Sequence, residues 1–125
     1  MGKSFTAKEK QKIADEIIEF LQERELFHDV SLYVNNKRYS SNKSKSSHAV
    51  KTKFGEYYAT DNVNVKDCVE YSNPDLITMT FEGPFYEELN YSSDGTTYET
   101  FSKLLNKHGM YFEQGYAWSL AVYTE

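Results

Sequence analysis

The sequence predicts an α+β fold: a mostly antiparallel β-sheet with an N-terminal amphipathic helix and a second helix near residues 97–108. Three observations predict it. Apolar residues recur at helical spacing at the start of the chain and again after Thr96, but alternate with period two through most of the rest. Aromatic residues make up 16% of the chain, with 11 Tyr and 8 Phe, and these favour a pleated, half-buried surface. Strand-like segments also follow one another with turns between them, which suits hairpins and not βαβ units. The 125 residues read as a single domain, 1–125, long enough to bury about two-thirds of the unfolded surface without disulfides.

The first element opens on a capping box, Thr6-Ala7-Lys8-Glu9, in which the Thr6 hydroxyl and the Glu9 carboxylate each satisfy a free backbone N–H. Ile13, Ile17, Phe20 and Leu21, widened by Ala14 and Ile18, form its apolar stripe, against Lys8, Lys12, Asp15, Glu19 and Glu23 on the other face. This helix ends near Arg24 or Glu25 and is expected to lie across a sheet. Val30 to Val34 reads as a strand, and Asn35-Asn36 as a hairpin turn before Lys37-Arg38-Tyr39. Ser40 to Ser47 holds no apolar anchor and reads as an exposed loop. Strand character returns at Ala49 to Lys53 and at Glu56 to Thr60; Val63 and Val65 alternate with polar residues, and Asn73-Pro74-Asp75 marks a turn.

Leu76 to Phe81 is the clearest strand, with Ile77, Met79 and Phe81 on one face. Gly83-Pro84 stops it, and Pro84 suits the first turn of a short helix over Phe85 to Leu89. After a Ser92-Ser93-Asp94-Gly95 turn, Thr96-Thr97-Tyr98-Glu99 reads as a second capping box, Phe101, Leu104 and Leu105 as a stripe, and Gly109 as the left-handed terminator. Met110 to Glu113 and Tyr116 to Tyr123 close the chain as strands. Tyr116, Trp118, Leu120 and Val122 would share one face, placing Trp118 in the core, with Gly115 at a bulge or tight turn. The aromatic run from Tyr111 to Trp118 still turns half its side chains the other way, and Tyr and Trp commonly anchor interfaces.

Charge is segregated. Ser31 to Gly55 carries Lys37, Arg38, Lys43, Lys45, Lys51 and Lys53 and no acid, whereas Glu56 to Glu99 carries ten acids against Lys66 alone. The basic stretch, interleaved with Tyr33, Tyr39 and Phe54, has the chemistry to grip single-stranded nucleic acid by phosphate contact and base stacking. The acidic stretch has the chemistry to present carboxylates to a protein groove that normally holds phosphates. A net charge of −5 argues against general phosphate-backbone binding.

Signals for catalysis are absent. Glycines are isolated, so no phosphate loop forms, and there is neither a nucleophile elbow nor a zinc-spaced His/Cys set. No cofactor or metal is expected, and none of the residues reads as catalytic. Cys68, the only cysteine, reads as a small buried or half-buried residue, and a lone thiol suits a reducing cytoplasm. Glu87 and Glu88 are neighbours in sequence, about 100° apart on a helix, and do not converge. His108 is explained by the macrodipole at a helix C-terminus. Glu82, His108 and Glu113 would be the first residues to mutate if an enzyme were present. No membrane-spanning or targeting segment is visible, so the protein is expected to stay in the cell that makes it, without membrane contact.

In size, acidity and Tyr/Asn/Lys/Glu-rich usage the chain resembles small accessory proteins of phages and conjugative elements of Gram-positive bacteria, and among these anti-CRISPR proteins. The resemblance is compositional and transfers no residue roles. It implies a non-enzymatic inhibitor, a DNA mimic whose protein partner is a CRISPR effector nuclease; nuclease surfaces that read duplex DNA are rich in Lys and Arg. Glu82, Glu87, Glu88, Asp94 and Glu99 are the candidates for the partner-binding acidic face. The alternatives are a nucleic-acid-binding module using Lys37, Arg38, Lys43, Lys45, Lys51 and Lys53, and an antitoxin-like or structural partner protein.

Overall fold

The helical and alternating stretches resolve, in a computed structural model describing residues 4–92 and 94–125, into three helices and seven strands. They run α1 (Ala7–Glu23), β1 (Val30–Val34), β2 (Lys37–Ser40), β3 (His48–Thr52), β4 (Gly55–Asp61), β5 (Ile77–Phe81), α2 (Gly83–Tyr91), α3 (Thr96–Asn106), β6 (Met110–Gln114) and β7 (Ser119–Thr124). The strands form one sheet in the order β3-β4-β2-β1-β5-β7-β6, every neighbouring pair antiparallel. The fold is α+β, as the periodicities predict.

Local chemistry explains most of these elements. The Thr6–Glu9 capping box forms, with both reciprocal bonds present, so two backbone donors at the start of α1 are satisfied. Asn35 and Asn36 both take positive φ, 53° and 60°, as a two-residue type I′ turn requires, and this sets the Val34↔Lys37 register. Alternation then sends Val30, Leu32, Val34, Tyr39, Tyr57, Ala59, Ile77, Met79, Phe81, Leu120, Val122, Met110 and Phe112 to one face, where they pack with the helices in one core. Helix α1 covers the β3-β4-β2-β1 half of that face. Gln11 accepts from the Tyr39 hydroxyl at 2.9 Å and Gln22 from the Thr52 hydroxyl at 2.7 Å. The other half is filled by an aromatic chain, Phe81–Phe85–Phe101–Phe112, whose successive ring centroids lie 4.9, 5.4 and 5.3 Å apart. Phe20 meets Phe101 at 5.9 Å and joins the two halves.

The opposite face carries Ser31, Thr78, Thr80, Ser119 and Ala121 and is crossed by the connection from β4 to β5. Val65 and Val69 from that connection bury Tyr33 in a small second cluster, with Val63 packed against it. Asn73 anchors its end through two donated bonds: its backbone N–H donates to the Thr78 hydroxyl (2.9 Å) and its Nδ2 to the Val122 carbonyl (2.7 Å).

Four expectations are corrected. Val63 and Val65 do not continue a strand; Val65–Asp67 is a 3-10 turn capped by the Asn64 side chain. Cys68, just beyond it, is exposed, because Val65 and Val69 take the inward positions. The second capping box does not form. Gly95, in the left-handed conformation, occupies the N-cap of α3, and Asp94 accepts from the Thr96 amide instead (3.0 Å); Ser93 of that turn lies outside the described residues. The last strand begins at Ser119, not Tyr116, so Tyr116 and Trp118 sit in a hairpin turn and are exposed, not core.

Candidate functional site

Two surface regions stand out once the sheet is assembled, and they adjoin. The first is the outer side of α2 and α3. Glu82, Glu87, Glu88, Asp94 and Glu99 are all exposed, and among the described residues none of them forms an ion pair. Their local bonds are to neutral groups. Glu88 accepts from the Thr97 hydroxyl at 3.3 Å, linking the two helices. The Thr96 amide and the Ser92 hydroxyl hold the Asp94 carboxyl below its ordinary value. Tyr86 and Tyr91 contact each other at 5.7 Å between ring centroids. Their hydroxyl–hydroxyl bond, together with the negative field of Tyr91, Glu87 and Glu82, holds the Tyr86 phenol above its ordinary value. Tyr91 and Tyr98 are exposed on the same pair of helices.

The second region is the β6–β7 turn, which the sequence assigns to the core and the structure does not. Tyr71, Tyr116 and Trp118 are 57%, 39% and 42% exposed, yet they form a continuous stack. Tyr71 and Tyr116 lie 5.3 Å apart, while Tyr116 and Trp118 are 4.9 Å apart and nearly parallel. Exposed aromatics are ordinarily mobile; these are braced. Ser119 accepts from the Tyr116 amide through its hydroxyl (3.0 Å) and donates its own N–H to the Tyr116 carbonyl (3.1 Å). Asn90 of α2 donates to the Ala117 carbonyl (2.9 Å), and Gln114 donates to both Asn90 and Ala117 (3.1 and 3.2 Å). The Tyr116 hydroxyl donates to Glu70 at 3.0 Å, and that carboxylate holds the phenol above its ordinary value. Gly115 is required beneath Tyr71, because a Cβ there would come within 2.7 Å of the Tyr71 Cβ. Tyr71 itself has φ 54°, a strained conformation for a bulky residue. The one signal for this platform in the sequence is the density of Tyr and Trp around Gly115.

The basic residues fare differently. Lys37 pairs with Asp61 at 3.9 Å, Lys51 stands opposite Glu56 across β3 and β4, and Lys53 lies over its neighbour Phe54. Folding thus inserts Glu56 and Asp61 between the cations, diluting the stripe that the linear sequence suggests; Arg38, Lys43 and Lys45 remain without a carboxylate partner among the described residues. Glu82, His108 and Glu113 do not converge. His108 instead sits 2.6 Å from Glu16 of α1, which also meets Lys107 at 3.1 Å. Among the described residues no group of three or more His, Cys, Asp or Glu side chains is placed to hold a metal ion, and no helix is long and apolar enough to cross a membrane. A hollow of about 510 Å³ lies beside Phe5, Lys10, Asp75 and Tyr111.

No family model, curated protein or solved structure matches the chain.

Proposed function

We propose that the protein is a non-enzymatic inhibitor that binds a basic surface of a nucleic-acid-handling protein through the carboxylate face of α2 and α3. The observation that carries this reading is the set of five exposed acids along the α2–α3 segment, Glu87 and Glu88 on α2, Glu99 on α3, Glu82 at the N-cap of α2 and Asp94 in the turn between the helices, none of them in an ion pair among the described residues. A concentrated negative field of this kind speeds encounter with a positive groove and loses effect as salt rises. Tyr86, Tyr91 and Tyr98 add amphipathic area of the type that anchors interfaces at little entropic cost. Of basic targets, an RNA-guided CRISPR nuclease fits well, since the surface that receives duplex DNA is lined by Lys and Arg; the carboxylates then stand in for phosphates.

Order of addition tests it. Target cleavage by a guide-loaded type II CRISPR nuclease is expected to fall when the protein is added before the DNA and to persist when it is added after. Glu87→Lys with Glu88→Lys is expected to weaken inhibition at least about tenfold, the effect of losing some 1.4 kcal/mol of binding, while circular dichroism stays close to that of the wild type, because both side chains are exposed and the bond lost is the long one from Thr97 to Glu88 (3.3 Å). Full cleavage in both orders overturns the reading for that nuclease.

A further inference from the structure

Three adjacent strand ends meet beside the aromatic stack. The Glu82 amide donates to the Asp29 carbonyl at 2.9 Å and the Phe81 amide to the Trp118 carbonyl at 2.8 Å. These bonds extend the β1–β5 and β5–β7 ladders by one residue each, so Asp29, Glu82 and Trp118 become neighbours although they are far apart in sequence. They bound a hollow of about 280 Å³, floored by Ser31 and Thr80 of the sheet and flanked by Asn42. Trp118 is the exposed ring at its edge. No lining residue is cationic, and neither carboxylate forms an ion pair among the described residues.

Folding accounts for this arrangement only in part: the Asn42 side-chain amide donates to one oxygen of the Asp29 carboxylate at 3.3 Å, which leaves the pairing of two carboxylates unexplained. Two like charges facing each other across antiparallel strands are destabilising, and Glu82, at the N-cap of α2, makes no capping bond. Asp29 holds a left-handed φ of 57°, which Asn would adopt equally well. What the three side chains share is the chemistry of a planar cation: two carboxylates to accept its N–H groups and, on the side of Trp118 away from the stacked Tyr116 ring, an aromatic face for it to stack on. Arginine satisfies all three, whereas an ammonium lacks both the plane and the fork. We propose that this hollow is an arginine-binding site, where a partner protein inserts one guanidinium against Trp118 between Asp29 and Glu82. The inference rests on reading this side of the molecule as the surface for a basic partner, since Glu82 belongs to both. It adds the anchor: the acids of α2 and α3 supply the field, and the Trp118 hollow supplies the register.

Trp118 is the only tryptophan, so its emission reports this site alone. The intact protein is titrated with hexaarginine and, separately, hexalysine. Hexaarginine is expected to change Trp118 emission saturably, at a half-point at least about five-fold below that of hexalysine. In the Asp29→Asn, Glu82→Gln double variant, which keeps the backbone preferences and size of both residues, the hexaarginine half-point is expected to rise about tenfold. In Glu87→Lys, Glu88→Lys it is expected to rise far less, because those residues lie outside the hollow. Equal responses to the two peptides, or an unchanged half-point in Asp29→Asn, Glu82→Gln, overturns the site. The titration contains no nuclease, so a negative result there overturns the arginine site and leaves the inhibitor reading standing, and a nuclease that resists inhibition leaves the peptide result intact.

Discussion

The two faces of the sheet are built on different principles. The helix-covered face is one continuous core in which Phe81, Phe85 and Phe101 are fully buried and ring meets ring from α1 to β6. The opposite face buries a three-residue apolar cluster, Tyr33, Val65 and Val69, and otherwise carries hydroxyls, backbone-anchoring Asn73, a strained Tyr71 and the braced aromatic turn. Apolar burial of about 25 cal/mol per Å² makes the first face the source of stability. The second spends some of that stability on holding large side chains in water. A chain that fixes exposed Tyr and Trp so firmly retains little freedom for a partner to remove, which is how preorganisation improves binding.

Substitutions can break or sharpen this contrast. The largest effect is expected from Phe101→Ala, which removes the ring joining both halves of the core. A loss of about 3–5 kcal/mol is expected from transfer and cavity terms, read by chemical denaturation, and a loss below about 1 kcal/mol would show that the helical face does not carry the fold. Gly115→Ala should come next. Its methyl group meets Tyr71 Cβ at 2.7 Å and Tyr71 Cδ2 at 2.9 Å, so Tyr71 must shift, at about 1–3 kcal/mol. Because Tyr71 packs on Tyr116 and Tyr116 on Trp118, tryptophan emission should move in this variant but not in folded Phe101→Ala. Wild-type stability and emission in Gly115→Ala would mean that the turn is not braced.

The smallest effect concerns the polar seam between α1 and the end of α3. Partial burial pushes the Glu16 carboxyl up, but the hydrogen bond to Lys107 and the charges of His108 and Lys107 outweigh it and hold the carboxyl below its ordinary 4.5. A carboxyl with a lowered folded-state pKa contributes stability above its unfolded value, and that contribution is lost as pH falls through the folded value. Glu16→Gln should therefore cost at most about 1 kcal/mol at neutral pH and converge with the wild type on acidification below 4.5. A constant difference across that window, measured by denaturation at stepped pH, would remove the ion pair as its cause.

Much of the first face was legible in advance because its rules are local. The Thr6 capping box, the Ile13–Leu21 stripe, the Asn35-Asn36 turn and the Ile77–Phe81 alternation each involve residues a few positions apart, and backbone geometry converts such spacing directly into a shared face. The exposure of Glu87, Glu88 and Glu99 was legible for the same reason, since charged side chains on short helices stay in solvent whatever packs beneath them. The Thr96 box failed because two short elements compete for one turn: Asp94 caps α3 through the Thr96 amide, with left-handed Gly95 at the N-cap.

The second face depended on contacts that no local pattern encodes. Alternation places Tyr116 and Trp118 in register with Leu120 and Val122 only if the strand reaches that far, and the Ser119 and Asn90 hydrogen bonds end it at Ser119. Tyr71 meets Tyr116 across 45 residues, and Asp29, Glu82 and Trp118 meet only because β1, β5 and β7 are neighbours in the sheet. By itself, then, the sequence determined most of the elements, the helical core and the acidic character of the α2–α3 segment, all set by periodicity and short-range capping. Strand order decided the rest: which cations acquired carboxylates, which aromatics stayed in water, and which three strand ends came together around Trp118. Those outcomes depend on pairing between distant segments, whose free energy is shared over the whole sheet and written in no single stretch of it.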